Sequence, residues 1–383
     1  MVIHKETMRS ANEKSVLQRI FTEGPISKSQ VARDVSLNKV TVSQIINKFI
    51  ESKLVIEAGS GKSTQQGGRK PELLQINSNY GYVSCIELGY QELSMLFMSI
   101  SGQVLDSKKM TLKDNDINCA IEKIIETLND FQDNFPEHLL GIAISIHGIV
   151  HKNQVIYSPF WDMQQIDLAD LLTEQFGVPI ILENEANLTA VFEQDYGKIE
   201  ARNAVSISMH RGIGAGIIIG GELYRGHKGE AGEIGQAIAF DSKNQPLRKT
   251  KKIEDICSPQ VILEQIKKAK KIGYINWELV RQMFDDNDQV TLEILKSFKD
   301  NVAKIISNVI VSFDPDVLVM NAYIFKEFPE FLELISNELD KISVRNTSII
   351  LSENIDNASL YGGCAQMIRT ILGVSKLKLQ YKK

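Results

Sequence analysis

Cysteine is scarce in this 383-residue chain: Cys85, Cys119, Cys257 and Cys364 stand far apart with no paired spacing. That excludes a disulfide framework and a cysteine metal knuckle, and fits free thiols in a reducing compartment. No apolar run approaches the ~20 residues of a membrane span. A signal-peptide pattern is missing as well, so a cytoplasmic protein without membrane contacts is expected. Acid is missing from one stretch in particular: the loop Gly59 to Pro71 holds glycine, serine, lysine and arginine but neither Asp nor Glu. What is present is ample apolar material, 43% of residues, enough for the cores of two or three domains.

Charge is unevenly spread. Residues 1 to 80 carry twelve Lys/Arg against seven Asp/Glu and the remainder thirty-one against forty-one, so net charge is +5 in front and −10 behind. This asymmetry favours nucleic acid at the N-terminus only. Apolar spacing there predicts a helix over Asn12 to Phe21, with Val16, Leu17 and Ile20 on one face, broken by Pro25. Ser27 with Gln30 forms a capping-box pattern opening a helix over Lys28 to Val35, and Asn38 is the next N-cap. In the helix that follows, Val42, Ile45, Ile46 and Phe49 recur at core spacing. Lys39, Val40, Ser43, Gln44, Asn47 and Lys48 are left facing outwards. That face offers base-reading amides and hydroxyls, a methyl-contacting valine and phosphate-contacting lysines. Taken alone, such residues more often mean a solvated helix face. Two strands, Leu54 to Glu57 and Leu73 to Ile76, flank the acid-free loop and make it a wing able to reach a phosphate or minor groove. The whole reads as a winged helix-turn-helix over 1–78. Lys28, Ser29, Gln30 and Thr41 at the helix starts, and Arg69 and Lys70 in the wing, join the outer face as expected DNA contacts.

From about Tyr80 the pattern is α/β, with strands near Tyr82 to Leu88, Leu93 to Ile100 and Val104 to Met110, a helix near Ile117 to Phe131, and a strand at Leu140 to Ile146. The order returns after Ala204, with strands at Val205 to Met209, Ala215 to Ile219 and Glu222 to Tyr224, and a later one at Val317 to Met320. A duplicated domain is expected, divided as 79–200 and 201–383, with a ligand cleft.

Three stretches carry a resemblance. Gly67-Gly68-Arg69-Lys70-Pro71-Glu72-Leu73-Leu74, Glu183-Asn184-Glu185-Ala186-Asn187 and Gly229-Glu230-Ala231-Gly232-Glu233-Ile234-Gly235 resemble the ROK family of repressors and sugar kinases, and the resemblance spans essentially the whole chain. The helix start Leu37-Asn38-Lys39-Val40-Thr41-Val42-Ser43 is similar to that of its DNA-binding members of the xylose-repressor type from Gram-positive bacteria. The resemblance implies an actin-like, hexokinase-like fold of ribonuclease H-like type behind the winged helix, and a homodimer on an inverted-repeat operator.

The same resemblance shows where this chain departs from the kinases. The family's first phosphate loop, Asp-x-Gly-Gly-Thr, reads Glu87-Leu88-Gly89-Tyr90-Gln91, with a tyrosine where backbone amides should approach a phosphate. The second survives in part as Gly212-Ile213-Gly214-Ala215-Gly216, which also fits a tight turn between strands, and His210-Arg211 stand before it. Asn321-Ala322-Tyr323 replaces an adenosine-side glycine run. The catalytic aspartate aligns with Glu185, whose extra methylene displaces the carboxylate, and about an ångström of misplacement can cost ~100-fold in rate. Neither catalysis nor a cofactor is therefore expected. The family's zinc ligands align with Gln236, Gln245, Leu247 and Lys252, of which the last three cannot ligate zinc, so no metal is expected either.

The sugar pocket is expected to persist. Asn184, Glu185, Glu233 and Glu254 fall on family positions that hold hydroxyls, and Gly148 on the glycine that lets backbone approach the sugar. Gln236 replaces a histidine that contacts a hydroxyl. Trp161 is the candidate stacking ring, with ordinary core packing as its alternative. The expected function is a repressor of xylose-utilisation genes, released when xylose binds. Glucose or a phosphosugar are alternative effectors, and a helix-turn-helix-tagged sugar kinase or a constitutive DNA binder are alternative functions.

Overall fold

The N-terminal apolar spacing closes into three helices and a small sheet. The computed structural model describes residues 5–61, 70–197, 201–239, 251–342, 347–374 and 379. Helix α1 (Lys5–Glu23) starts earlier than its apolar face required. It is followed by β1 (Ile26–Ser27), α2 (Lys28–Asp34), α3 (Lys39–Glu51), β2 (Val55–Ser60) and β3 (Glu72–Ile76). The core is Val16, Leu17, Ile20, Val31, Val42, Ile45, Ile46, Val55 and Leu74, all buried, whereas Phe49 is only half-buried. The strand order is β1-β3-β2. The two-residue β1 comes from tertiary pairing, Ile26 opposite Leu74, and has no local signature. Ser27 does cap α2 by accepting from the Gln30 amide at 3.2 Å. The reciprocal half of the capping box is absent, because the Gln30 side chain turns to Asp34 at 2.6 Å and to Arg33.

Beyond the wing, β4 (Tyr82–Leu88), β5 (Glu92–Ser99), β6 (Val104–Thr111), α4 (Ile117–Asn134), β7 (Leu139–Ile146), the hairpin β8 (Ile149–His151) and β9 (Gln154–Tyr157), α5 (Leu168–Phe176) and β10 (Ile180–Asn184) build a sheet of order β10-β7-β4-β5-β6. Central β4 is nearly continuous buried residue, as a strand covered on both faces must be. One cover is α4, whose Ile117, Ala120, Ile121, Ile124 and Leu128 are buried at helical spacing.

After α6 (Glu185–Asp195) the plan repeats. Strands β11 (Ala204–Met209), β12 (Ile213–Ile219) and β13 (Glu222–Leu223) precede helices α7 (Glu254–Cys257), α8 (Pro259–Lys270), α9 (Trp277–Asp285) and α10 (Gln289–Phe313). Then come β14 (Val317–Asn321), α11 (Ile324–Glu327), α12 (Pro329–Ile342), β15 (Ser348–Leu351) and α13 (Ala358–Leu372). The second sheet runs β13-β12-β11-β14-β15. In each sheet the first strand pairs antiparallel with the second and parallel with the fourth, so the expected duplication is one of topology and direction.

Contacts divide the chain into residues 1–184 with 360–383, and residues 185–359. This differs at both ends from a boundary at 200. Helix α6 belongs to the second unit because glycine lets β12 approach it: a Cβ on Gly216 would lie 2.2 Å from the Ala186 carbonyl oxygen and 2.5 Å from the Ala190 Cβ. Helix α13 returns to the first unit, where a Cβ on Gly363 would lie 2.2 Å from Cys85 Sγ, and Met367 Sδ fills the space over Gly141.

Buried acid on α6 gives a stability prediction. Glu193 is 6% exposed and accepts a 2.5 Å hydrogen bond from Ser352 Oγ. Burial pushes its carboxyl up to about 7, with the Ser352 bond opposing and the Glu353 charge adding. A carboxyl raised on folding stabilises the fold fully only below its unfolded pKa, and that stability is lost as pH climbs through the folded value. Wild type should therefore lose on the order of 2–3 kcal/mol relative to Glu193→Gln between about pH 4.5 and 7. Parallel pH profiles of melting temperature for the two proteins would contradict this.

Candidate functional site

The outer face of α3 presents its side chains as the helical period requires. Lys39, Val40, Gln44, Asn47 and Lys48 are exposed, Val40 by 69%, while Thr41 and Ser43 are half-buried at the edge of the face. Asn38 Oδ1 accepts from the Thr41 amide at 2.8 Å, which fixes the helix start and its positive end. On α2, Lys28, Ser29 and Gln30 are half-buried, and Ser29 shares a 3.1 Å hydrogen bond with Ser27. Lys48 Nζ lies 2.8 Å from Glu13 on α1. An exposed ion pair is worth about 0–1 kcal/mol, so a phosphate can displace it. Lys70 is exposed at the foot of the wing, while Arg69 lies outside the described residues.

In the first unit, parallel pairing sets Asn184 opposite Ile146, at the carboxyl ends of β10 and β7, where ligands of open α/β sheets bind. Asn184 Nδ2 donates to the Gly148 carbonyl at 2.6 Å. Gly148 has φ +134°, and a Cβ there would meet the Tyr157 carbonyl oxygen at 2.1 Å, so any side chain is excluded. Trp161 is 4% exposed, and its indole N–H donates to the carbonyls of Leu88 and Gly89 at 3.2 and 3.1 Å. It packs in the core rather than standing on an open wall, while also bordering a cavity of about 580 Å³ with Gln154, Tyr157, Ser158 and Asp167.

The loop after β4 is closed on itself. The Gly89 amide donates to the Glu92 carbonyl at 2.9 Å and the Gln91 amide to Asn115 Oδ1 at 2.7 Å. Two of the loop's amide donors are therefore already used. Above them Phe160 packs edge-on to Tyr90, centroids 5.6 Å apart, and at 5.5 Å from His147, whose Nε2 meets Glu87 Oε1 at 3.1 Å. Sequence reasoning missed Asn115, because its partner lies twenty-four residues away.

In the second unit, Glu185 opens α6 with 9% exposure, and its Oε1 accepts from Thr189 at 3.0 Å and Ser208 at 3.2 Å. Thr189 was detectable as the i+4 neighbour of Glu185; Ser208, on β11, was not. Gly232 has φ +93°, and a Cβ there would meet the Ala215 carbonyl oxygen at 1.8 Å. The next residue, Glu233, has its carboxyl raised by burial, then by the Glu254 and Glu230 charges, with Lys252 opposing. Glu254 Oε1 accepts from Gln236 Nε2, and Gln236 Oε1 from Lys252 Nζ. An amide and an ammonium do not fit a zinc ion, which takes thiolate, imidazole or carboxylate. Gln245 and Leu247 lie outside the described residues. In the glycine run 212–216, Gly212 accepts from the His210 amide at 3.2 Å in the turn between β11 and β12 and lies against Glu254 Oε2, while Gly214 and Gly216 lie in β12 against α6.

Residues 83–369 match the ROK family. The chain belongs to it. Among relatives, a xylose repressor of Lactiplantibacillus pentosus is 33% identical over 384 aligned positions, covering 100% of this ROK chain and 98% of that one. Two solved structures share the fold. A ROK family transcriptional regulator, homologous to the E. coli MLC protein, superposes with TM-score 0.79 at 21% identity, covering 95% of this chain and 96% of that one. A Streptomyces griseus ROK glucokinase, solved with glucose and AMPPNP, gives 0.62 at 18% identity, covering 74% of this chain and 98% of the enzyme. The ROK fold thus serves both regulators and kinases, and the duplicated actin-like, hexokinase-like architecture is the one found here. No helix among the described residues is long and apolar enough to cross a membrane.

Proposed function

We propose that this ROK chain is a sugar-responsive transcriptional repressor of xylose-utilisation genes, released from its operator when xylose binds. The observation that carries the reading is the full-length match to the L. pentosus repressor, which includes the winged helix as well as both sheets. In this reading residues 1–78 bind DNA. Asn184, Glu185, Glu233 and Glu254, with Gly148 and Gln236, hold the sugar, because carboxylates and amides pair well with vicinal hydroxyls. A homodimer places two α3 helices one DNA turn apart on an inverted repeat. A sugar preferring the DNA-incompetent state by tens- to hundreds-fold supplies ~2–3 kcal/mol per site, and DNA weakens sugar binding by the same factor.

The closed loop after β4, with its amides donated to Glu92 and Asn115, supports a chain that no longer transfers phosphate. Melting temperature tests both points. Free xylose should raise it in proportion to RT ln(1 + [L]/Kd), while ATP with magnesium should not. A rise with ATP would favour a kinase, and silence to every sugar a constitutive DNA binder.

The DNA face gives paired expectations. Gln44→Ala should relax base discrimination by about 1–3 kcal/mol, whereas Arg69→Ala should weaken binding on all sequences and lower the salt slope by about one. An Arg69→Ala protein with unchanged affinity would remove the wing from the interface.

A further inference from the structure

We infer that Lys252 is a positioning residue for the sugar-binding acids of the second unit, its ammonium fixing Gln236 and Glu254 from the paired segments 237–239 and 251–253. The inference rests on the sugar-binding reading above. Segments 237–239 and 251–253 pair through two backbone hydrogen bonds, Ile253 amide to Ala237 carbonyl and Ala239 amide to Lys251 carbonyl, both 2.9 Å, with Ile238 bridging to Lys252. The Lys252 amide is itself held by Asp255 Oδ2 at 2.9 Å. From this closure the Lys252 side chain reaches Gln236 Oε1, and Gln236 Nε2 reaches Glu254 Oε1.

An ammonium can only donate and a carboxylate can only accept. The Gln236 amide therefore has one orientation that satisfies both, and a cation on one side with an anion on the other polarises it in the same direction. The remaining Glu254 oxygen, Oε2, sits in room left by two glycines: Cβ atoms on Gly212 and Gly235 would crowd it at 3.2 and 3.0 Å. The relay thus places Oε1, and the glycines leave space for Oε2. Lys252 also offsets the acids gathered around Glu233, where the Glu254 and Glu230 charges both disfavour a third. Lys252 thus supplies the cation that opposes the crowding of acids behind the raised pKa of Glu233.

The test uses the full-length protein with Lys252→Met, which keeps the stem and removes the charge, and Lys252→Arg, which restores a donor. Amide hydrogen exchange at Ala239 and Ile253 reports the closure, and xylose titration reports the site. In the Met variant exchange should speed up, and xylose affinity should fall about three- to tenfold. The Arg variant should recover most of both. Wild-type xylose binding should survive a chelator. A Met variant with wild-type exchange and wild-type affinity would overturn the inference, as would loss of the wild-type response on chelation. If wild type itself ignores xylose, the functional reading fails, while the exchange rates still decide whether Lys252 clamps the closure.

Discussion

Glu233→Ala is expected to bind operator DNA as wild type does and to stay bound at sugar concentrations that release wild type. In the proposed site Glu233 accepts from sugar hydroxyls as a partly desolvated carboxylate, and hydrogen bonds to a charged group are worth about 1.5–3 kcal/mol each. Losing one or two should weaken the sugar by roughly 10- to 100-fold or more. The free protein should not suffer. Burial and the Glu254 and Glu230 charges hold the Glu233 carboxyl above its ordinary value, so the ionised side chain costs stability before sugar arrives. That cost is absent at low pH and grows as pH rises through the raised pKa, and alanine removes it. Titrating wild type and variant with sugar on labelled DNA separates the outcomes: release of the variant at wild-type concentrations would show that the pocket has been misassigned.

Gly232→Ala should have a different and larger effect on folding. The residue sits at φ +93°, and the added methyl would come to 1.8 Å from the Ala215 carbonyl oxygen, backbone that is itself fixed by the 2.8 Å bond from the Ala215 amide to the Gly232 carbonyl. Left-handed strain and overpacking together predict a loss of about 3 kcal/mol or more, with the sugar response lost alongside because Glu233 is the next residue. Gly220→Ala is the control. It also has positive φ, +64°, but a Cβ there meets nothing within 4 Å, so about 1–2 kcal/mol is expected. Urea unfolding measures both, and equal midpoints would mean that the close approach to β12 carries no weight.

What the sequence revealed was whatever is local. The core stripe Val16, Leu17, Ile20 and the caps Ser27 and Asn38 act within a few residues, and each stands in the structure where spacing alone puts it. The two three-strand starts were legible because they are consecutive antiparallel strands joined by short connections. Strands β10 and β15 were not, because each is a short strand at the edge of its sheet, partly exposed and too brief to give a period; the parallel strands β7 and β14 were legible because they are interior and almost wholly buried. Unit membership of α6 and α13 was hidden because it rests on glycines that matter only once Ala186, Ala190, Cys85 and Met367 are brought against them.

The candidate site divides along the same line. Motif positions such as Asn184 and Glu233 could be named from sequence, but their partners could not. Ser208 under Glu185, Asn115 under the β4 loop and the Lys252–Gln236 contact all arise from tertiary folding. Trp161 was ambiguous for a physical reason, since an aromatic ring satisfies a core and a sugar face equally, and here its N–H is spent on Leu88 and Gly89.

The measurement closest to the central claim is fluorescence anisotropy of the purified protein on labelled DNA from upstream of its own gene, at fixed salt, titrated with xylose, glucose and the corresponding phosphosugars. The account predicts tight binding to that DNA and release by free xylose at concentrations where the phosphosugars do nothing. Tight binding indifferent to every sugar would contradict it.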